Sequence, residues 1–188
     1  MPKSSIRRTM LAQRRSLSEK EYRSASLSIQ HSFLETEEYH HARGIVVYAS
    51  IHKEVDTEEI VRAAFVSGKK VAFPAVVHHG LVFREVTEIS SMKRGIFGIM
   101  EPCATGRNFD LDEADIVVLP GIAFDLNGHR IGYGKGYYDK TLHRLEGKGR
   151  LIGLCYDFQL VEKIAGEPHD VKMDLIITEK RIVRPGNR

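Results

Sequence analysis

The densest gathering of chemically capable residues is LPGIAFDLNGHRIGYGKGYYDK, residues 119–140, which follows the apolar run DIVVLP. Arg130 and Lys135 supply cationic donors, while Gly132, Gly134 and Gly136 let the backbone come close to whatever binds there. A loop of this kind that enters a helix near Tyr137 can cradle an anion. Its amides and the helix dipole face the charge, Arg130 can add a forked contact, and Lys135 a mobile one. The familiar phosphate fingerprints fail here. Walker A requires Ser or Thr where Gly136 stands, and the dinucleotide fingerprint requires a third glycine where Tyr137 stands. The loop therefore supports phosphate contact without naming a nucleotide class, and a ligand-free surface turn is the competing reading.

Other charged residues have a plain and a functional explanation side by side. Lys3 and Arg7 stand at i and i+4 and share a helix face, so both can reach one polyanion or simply face solvent. Asp139 falls just inside the helix after the loop, where the dipole already favours a carboxylate. Glu54 follows the strand-like VVYASIHK, and Asp56 beside it suits a helix cap. The adjacent pairs His40–His41 and His78–His79 share neither a strand face nor a helical metal spacing and read as surface residues. Cys155, in an apolar strand, reads as core; Cys103 lies in a long connection with no visible acid–base partner. Two distant cysteines fit a reducing compartment better than a disulfide framework or a zinc site.

These residues must be positioned by an alternation of strands and helices. Ile6, Met10 and Leu11 mark a short first helix, and Ser18 with Glu21 offers a capping box for a second running to about Thr36. GIVVYAS is a buried strand; Asp56 caps TEEIVRAAFVSG, and KKVAFP follows as a strand. HHGLVFREV reads as a further strand and MKRGIFGIMEPCATGRN as a long surface connection. Then come strand DIVVLP, the glycine-rich loop, a helix from Tyr137 to Leu145, strand RLIGLCY, a short helix from Gln159 to Ile164, and strand DLIIT. Non-alternating β-branched runs separated by helices predict an open, mostly parallel α/β sheet with helices on both faces. In such sheets ligands bind beyond the carboxyl ends of the strands, which is where the glycine-rich loop falls.

Composition bounds the function further. With 188 residues, 42% of them hydrophobic, the chain can bury one substantial core, and a single domain over 1–188 is expected. A net charge of +3 is too mild to argue for nucleic acid, and no apolar run reaches the roughly 20 residues that span a bilayer. The Arg- and Ser-rich N-terminus has a transit-peptide flavour, but Glu19 and Glu21 oppose it and its apolar positions continue into ordinary helix. A cytoplasmic location is expected.

The glycine-rich segment closely resembles the hallmark of the 5-formyltetrahydrofolate cyclo-ligase family, also called methenyltetrahydrofolate synthetases. The resemblance extends to Lys3 and Arg7, EVDT at 54–57, Pro74, GIFGIMEP at 95–102, DFQL at 157–160 and HDVKMDLIITE at 169–179. One departure is Ala75, where relatives often carry a basic residue. The resemblance implies a Rossmann-like fold and an enzyme that uses ATP and Mg²⁺ to convert 5-formyltetrahydrofolate, with or without a polyglutamate tail, into 5,10-methenyltetrahydrofolate. It assigns Lys3, Arg130 and Lys135 to catalysis. Nucleotide contact falls to Lys3, Arg7, Arg130, Gly132, Tyr133, Gly134, Lys135, Gly136, Tyr137 and Tyr138. Glu54, Tyr133 and Tyr137 are expected to meet the folate, and Asp139 with Asp170 the magnesium; His169 is expected to be a supporting residue. A monomer without nucleic-acid or membrane partners is expected. Two other classes stay open: a phosphosugar- or coenzyme-A-related α/β protein, and a basic RNA-binding protein using Arg7, Arg8, Arg14 and Arg15.

Overall fold

A computed structural model of the chain describes residues 2–78, 80–95, 99–103, 105–142, 149–167 and 170–186. Three helices, α1 (Lys3–Ser16), α2 (Glu19–Leu34) and α3 (Glu37–His41), precede strand β1 (Gly44–Val46). Helix α4 (Glu58–Val66) leads into β2 (Lys70–Val77) and β3 (Gly80–Glu85), and the short β4 (Met92–Arg94) and β5 (Met100–Pro102) follow. Next are β6 (Ile116–Leu119), β7 (Ala123–Asp125), β8 (Arg130–Ile131) and α5 (Tyr137–Leu142). The chain closes with β9 (Arg150–Leu154), β10 (Leu160–Val161), β11 (Leu175–Ile177) and β12 (Ile182–Val183).

Seven strands form the main sheet in the order β12-β11-β9-β6-β1-β2-β3. The five between the edges pair in parallel, and β3 and β12 add to them antiparallel. Taken in chain order, the parallel strands run 2-1-3-4-5 across the sheet, so the winding reverses between β1 and β6. Residues of alternate parity part to opposite faces. Ile45, Ile116, Val118, Ile152, Leu154 and Ile177 pack with Ile29 and Phe33 of α2 and Ile60 of α4. Val46, Val117, Leu119, Leu151 and Ile176 instead pack with Phe124 and Leu142. Because both faces are covered, the strands read as continuous apolar runs, which is why they were legible in the sequence.

Local chemistry sets the helix ends. Ser18 and Glu21 form the expected capping box at α2. The N-cap of α4 is Thr57, one residue beyond the Asp56 expected there; the Asp56 carboxylate accepts from the amides of Thr57 (2.7 Å) and Glu58 (3.2 Å) from just outside the helix. Helix α1 proves longer than its sparse apolar residues suggest. It is held by Ile6 and Met10 against Ala123, Ile131 and Ile164, and by polar contacts at its far end. Among the described residues no helix is long and apolar enough to cross a membrane.

Three further expectations are corrected. The segment read as a glycine-rich loop contains β7 and β8, paired antiparallel as Ala123↔Ile131 and Phe124↔Arg130. The supposed surface connection contains β4 and β5, paired antiparallel from Met92↔Pro102 to Arg94↔Met100; strands of three residues are too short to display a period. The helix expected over 159–164 is instead a 3₁₀ turn at Asp157–Gln159 followed by β10, which pairs in parallel with β7. Buried Gln159 explains the outcome. Its Oε1 accepts from Tyr156 N, and its Nε2 donates to the carbonyls of Gly121 and Ile122, tying this segment to the glycine-rich loop instead of to a helical turn. Both cysteines are free; burial pushes the Cys155 thiol well up, as befits core, and Cys103 donates to the Ser91 carbonyl. Residues 143–145 of the expected helix, His79, His169 and residues 96–98 of GIFGIMEP lie outside the described residues.

Candidate active site

Beyond the carboxyl ends of β1 and β6, at the reversal of winding, lies a cavity of about 690 Å³. The stretch after β1 contributes Tyr48, Ile51 and Glu54, and the loop after β6 contributes Pro120 and residues 130–140. Helix α1 brings Lys3 and Arg7, the segment before β11 brings Glu167 and Asp170, and Pro74, Val76, Leu81 and Met100 form an apolar wall. Every residue that the resemblance assigns to catalysis, nucleotide, folate or magnesium therefore lines one cavity. Ala75 is buried, its neighbours Pro74 and Val76 turning to the cavity in its place.

One end of the cavity is charged, and its cations Arg130 and Lys3 are paired with carboxylates. Arg130 is buried; its Nη2 donates to Asp139 Oδ1 at 2.8 Å, and its guanidinium lies 5.5 Å from the Tyr138 ring centre. Its Nε is buried with no hydrogen-bond partner. Lys3 Nζ donates to Glu167 Oε1 at 3.0 Å and to Asp170 Oδ2 at 3.1 Å. Loss of water around Lys3 works against its charge, but the two carboxylates outweigh it and raise the amine. Arg7 Nε donates to the Gly132 carbonyl at 2.8 Å, so α1 grips the loop directly. Lys135 is exposed between Gly134 (φ 93°) and Gly136 (φ 66°), both in backbone conformations that a side chain would strain. Among the described residues no three His, Cys, Asp or Glu side chains gather as a metal site.

The loop's base is braced by a residue that sequence reasoning did not single out. Asp125 is fully buried. Its Oδ1 accepts from the amides of Asn127 and His129 at 2.9 Å, and its Oδ2 from Ile164 N at 2.8 Å, with His129 Nδ1 3.1 Å away. One carboxylate thus binds the β7–β8 turn to the segment that leads to Asp170.

The other end is buried and nearly neutral except for one pair. Glu54, 4% exposed, accepts from Ile51 N (3.1 Å) and from the Tyr133 hydroxyl (3.0 Å). Burial pushes its carboxyl up, against the pull of Arg14 and these two hydrogen bonds. Tyr133 is half-exposed to the cavity, and burial together with the Glu54 charge pushes its phenol up to about 12. Arg14, whose Nη1 lies 3.9 Å from Glu54, was considered from the sequence only as an RNA contact. At 1% exposure it cannot serve one. Its position seven residues, two helical turns, beyond Arg7 was the signal that it shares the cavity face of α1.

Fold and cavity together define a doubly wound α/β protein with a cavity at the switch point and a cationic loop on one side of it. Residues 1–179 match the 5-formyltetrahydrofolate cyclo-ligase family. A 5-formyltetrahydrofolate cyclo-ligase of Haemophilus influenzae is 34% identical over 81% of this chain and 85% of its own. The solution structure of an Aquifex aeolicus 5,10-methenyltetrahydrofolate synthetase superposes with a TM-score of 0.88 at 32% identity, covering 100% of this chain and 95% of that one. The synthetase of Mycoplasma pneumoniae, at 24% identity and TM-score 0.78 over 95% of this chain and 99% of its own, shares the fold. The chain belongs to the 5-formyltetrahydrofolate cyclo-ligase family and is an enzyme, an ATP-dependent ligase.

Proposed function

We propose that the chain cyclises 5-formyltetrahydrofolate to 5,10-methenyltetrahydrofolate, with ATP converted to ADP and phosphate. One observation carries this reading: a single cavity joins a cationic, glycine-rich end to a buried carboxylate–phenol end across an apolar wall. The first suits a triphosphate, the second the donor N–H groups of a pterin, and the wall its flat aromatic body.

The chemistry requires such a pairing. A formamide carbon is a poor electrophile and its oxygen a poor leaving group. Transfer of the γ-phosphoryl group to the formyl oxygen releases ADP and leaves an iminium-like carbon. N10 attacks that carbon, forming the new C–N bond; the C–O bond then breaks, phosphate departs with the former formyl oxygen, and the N10 proton is lost to solvent. The protein's part is alignment and charge.

Lys3, Arg130 and Lys135 stabilise the charge on the transferring phosphoryl group, and Arg7, the loop backbone of residues 132–136 and Tyr138 hold the nucleotide. Glu54 accepts from the pterin amino and ring N–H groups, and the rings of Tyr133 and Tyr137 pack on the folate. Asp139 and Asp170 fit Mg²⁺: they are hard oxygen donors on the cavity, and this ion commonly completes its shell with phosphate oxygens and water. When bound, Mg²⁺ neutralises phosphate charge. The pairs Lys3–Asp170 and Arg130–Asp139 supply both signs at one place, cations for phosphate and carboxylates for metal. We assign the activity to a single domain of residues 1–188 acting as a monomer.

The reaction sequence is tested with substrate carrying oxygen-18 in the formyl group. Label recovered in inorganic phosphate supports phosphorylation of that oxygen; label released into water contradicts it.

A further inference from the structure

Helix α1 carries a third cation on its cavity side, and its contacts end at Glu54. Arg14 Nη2 lies 2.5 Å from the Tyr133 hydroxyl, which donates to the same Glu54 oxygen that Arg14 Nη1 faces at 3.9 Å. The remaining guanidinium contacts are weak: Nη1 reaches the Gly121 carbonyl at 3.4 Å, and Nε is buried with no partner. A charge so enclosed is tolerated where an opposite charge balances it, and here that charge is Glu54. The phenols around the pair are engaged elsewhere. The Tyr48 hydroxyl donates to Val55 O, Tyr156 to Lys53 O, and the Tyr138 ring lies beneath Arg130. Among the described residues Arg14 is the cation that faces Glu54.

The backbone fastens the same two elements together. His52 and Lys53 take positive φ values of 49° and 56°, a strained turn immediately before Glu54. Lys53 uses that turn to reach back and donate to the carbonyls of Arg15 and Leu17 at the end of α1. The turn that presents Glu54 and the helix that carries Arg14 are thereby held in register.

We propose that Arg14 is a positioning residue for folate recognition, holding Glu54 as a carboxylate and fixing the Tyr133 hydroxyl between them without touching substrate. The inference rests on the reading of Glu54 as the pterin's acceptor. It goes beyond that reading in making recognition depend on a residue of α1, the helix that also carries Lys3 and Arg7.

The test follows the Glu54 carboxyl by carbon-13 NMR, assigned with Glu54→Gln, beside 5-formyltetrahydrofolate titration calorimetry across a pH series. In Arg14→Met the Glu54 titration is expected to move to higher pH. Folate binding should weaken at pH values below the moved titration, approaching about tenfold for each unit of that movement there, and the loss should vanish as pH rises above it. The turnover rate at saturating folate should change far less than KM, Arg14→Lys should restore most of the affinity, and Tyr133→Phe should move the Glu54 titration in the same direction by less. Should Arg14→Met fail to fold, Tyr133→Phe and Arg14→Lys carry the measurement. An unmoved Glu54 titration with a pH-independent loss of affinity would reduce Arg14 to packing and overturn the proposal. If the unaltered protein does not bind 5-formyltetrahydrofolate, the functional reading fails instead, while the NMR titration still reports on Arg14.

Discussion

At the scale of single residues, the two ends of the cavity respond to different substitutions. Lys3→Ala or Arg130→Ala removes a charge-assisted contact worth about 1.5–3 kcal/mol, so KM for ATP should rise roughly tenfold to a hundredfold with folate affinity little changed. Glu54→Gln keeps the shape but not the charge; calorimetry should show weaker folate binding and unaltered nucleotide binding, and unchanged folate affinity would remove Glu54 from the site. Part of this was legible: the lysine, arginine and glycine types at 130–136 mark in the sequence the segment that lines the cavity. Arg14 and Asp125 were not, because a buried arginine and a buried turn aspartate look like surface residues until their partners, 40 and 39 residues away in sequence, are brought to them.

At the scale of elements, glycine separates function from stability. Gly128 (φ 86°) is needed for the turn itself, since a Cβ there would stand 2.7 Å from the Met173 carbonyl. Gly134 (φ 93°) has its nearest neighbour, the Arg7 guanidinium, at 3.8 Å, so only its conformation is demanding. Gly128→Ala is expected to lower Tm by several degrees, at roughly 2–4 °C per kcal/mol for a chain of this size. Gly134→Ala should change Tm little and lower kcat/KM for ATP, because the loop relaxes away from its cradle. Thermal melts beside steady-state kinetics check both. The helices and strands that could be read beforehand are those with long apolar stripes or caps. Those that were misread, β4, β5, β7, β8 and β10, are two or three residues long; β4–β5 and β7–β8 are local antiparallel pairs, and β10 is fixed by a partner distant in sequence, β7.

At the scale of the whole molecule, acid should weaken the fold in a predictable window. Arg184 holds Glu38 below its ordinary value, and Arg181 does the same for Asp157, joining the C-terminal segment to α3 and to the turn after β9. Carboxylates lowered in the folded state contribute stability above their unfolded values and lose it as pH falls through the folded ones. Glu54, raised by burial, has the opposite sign, and its cost is relieved on protonation. Urea midpoints should therefore fall as pH drops below about 4, less steeply in Asp157→Asn than in the unaltered chain. The sheet also brings together Asp139 and Asp170, which no local period links. Asp139→Asn and Asp170→Asn should each raise the magnesium concentration needed for half-maximal rate, and a normal dependence in either would remove that residue from the metal's ligands.

The central claim is that one cavity couples ATP to closure of the folate ring. It is tested most directly by mixing purified protein with 5-formyltetrahydrofolate, ATP and Mg²⁺ and following the near-ultraviolet absorbance of the methenyl product. The account predicts absorbance that grows with enzyme concentration, vanishes when ATP or Mg²⁺ is withheld, and is reduced at subsaturating substrate by both Arg130→Ala and Glu54→Gln. Folded protein that yields no product in the complete mixture, or yields it equally without ATP, would contradict the account.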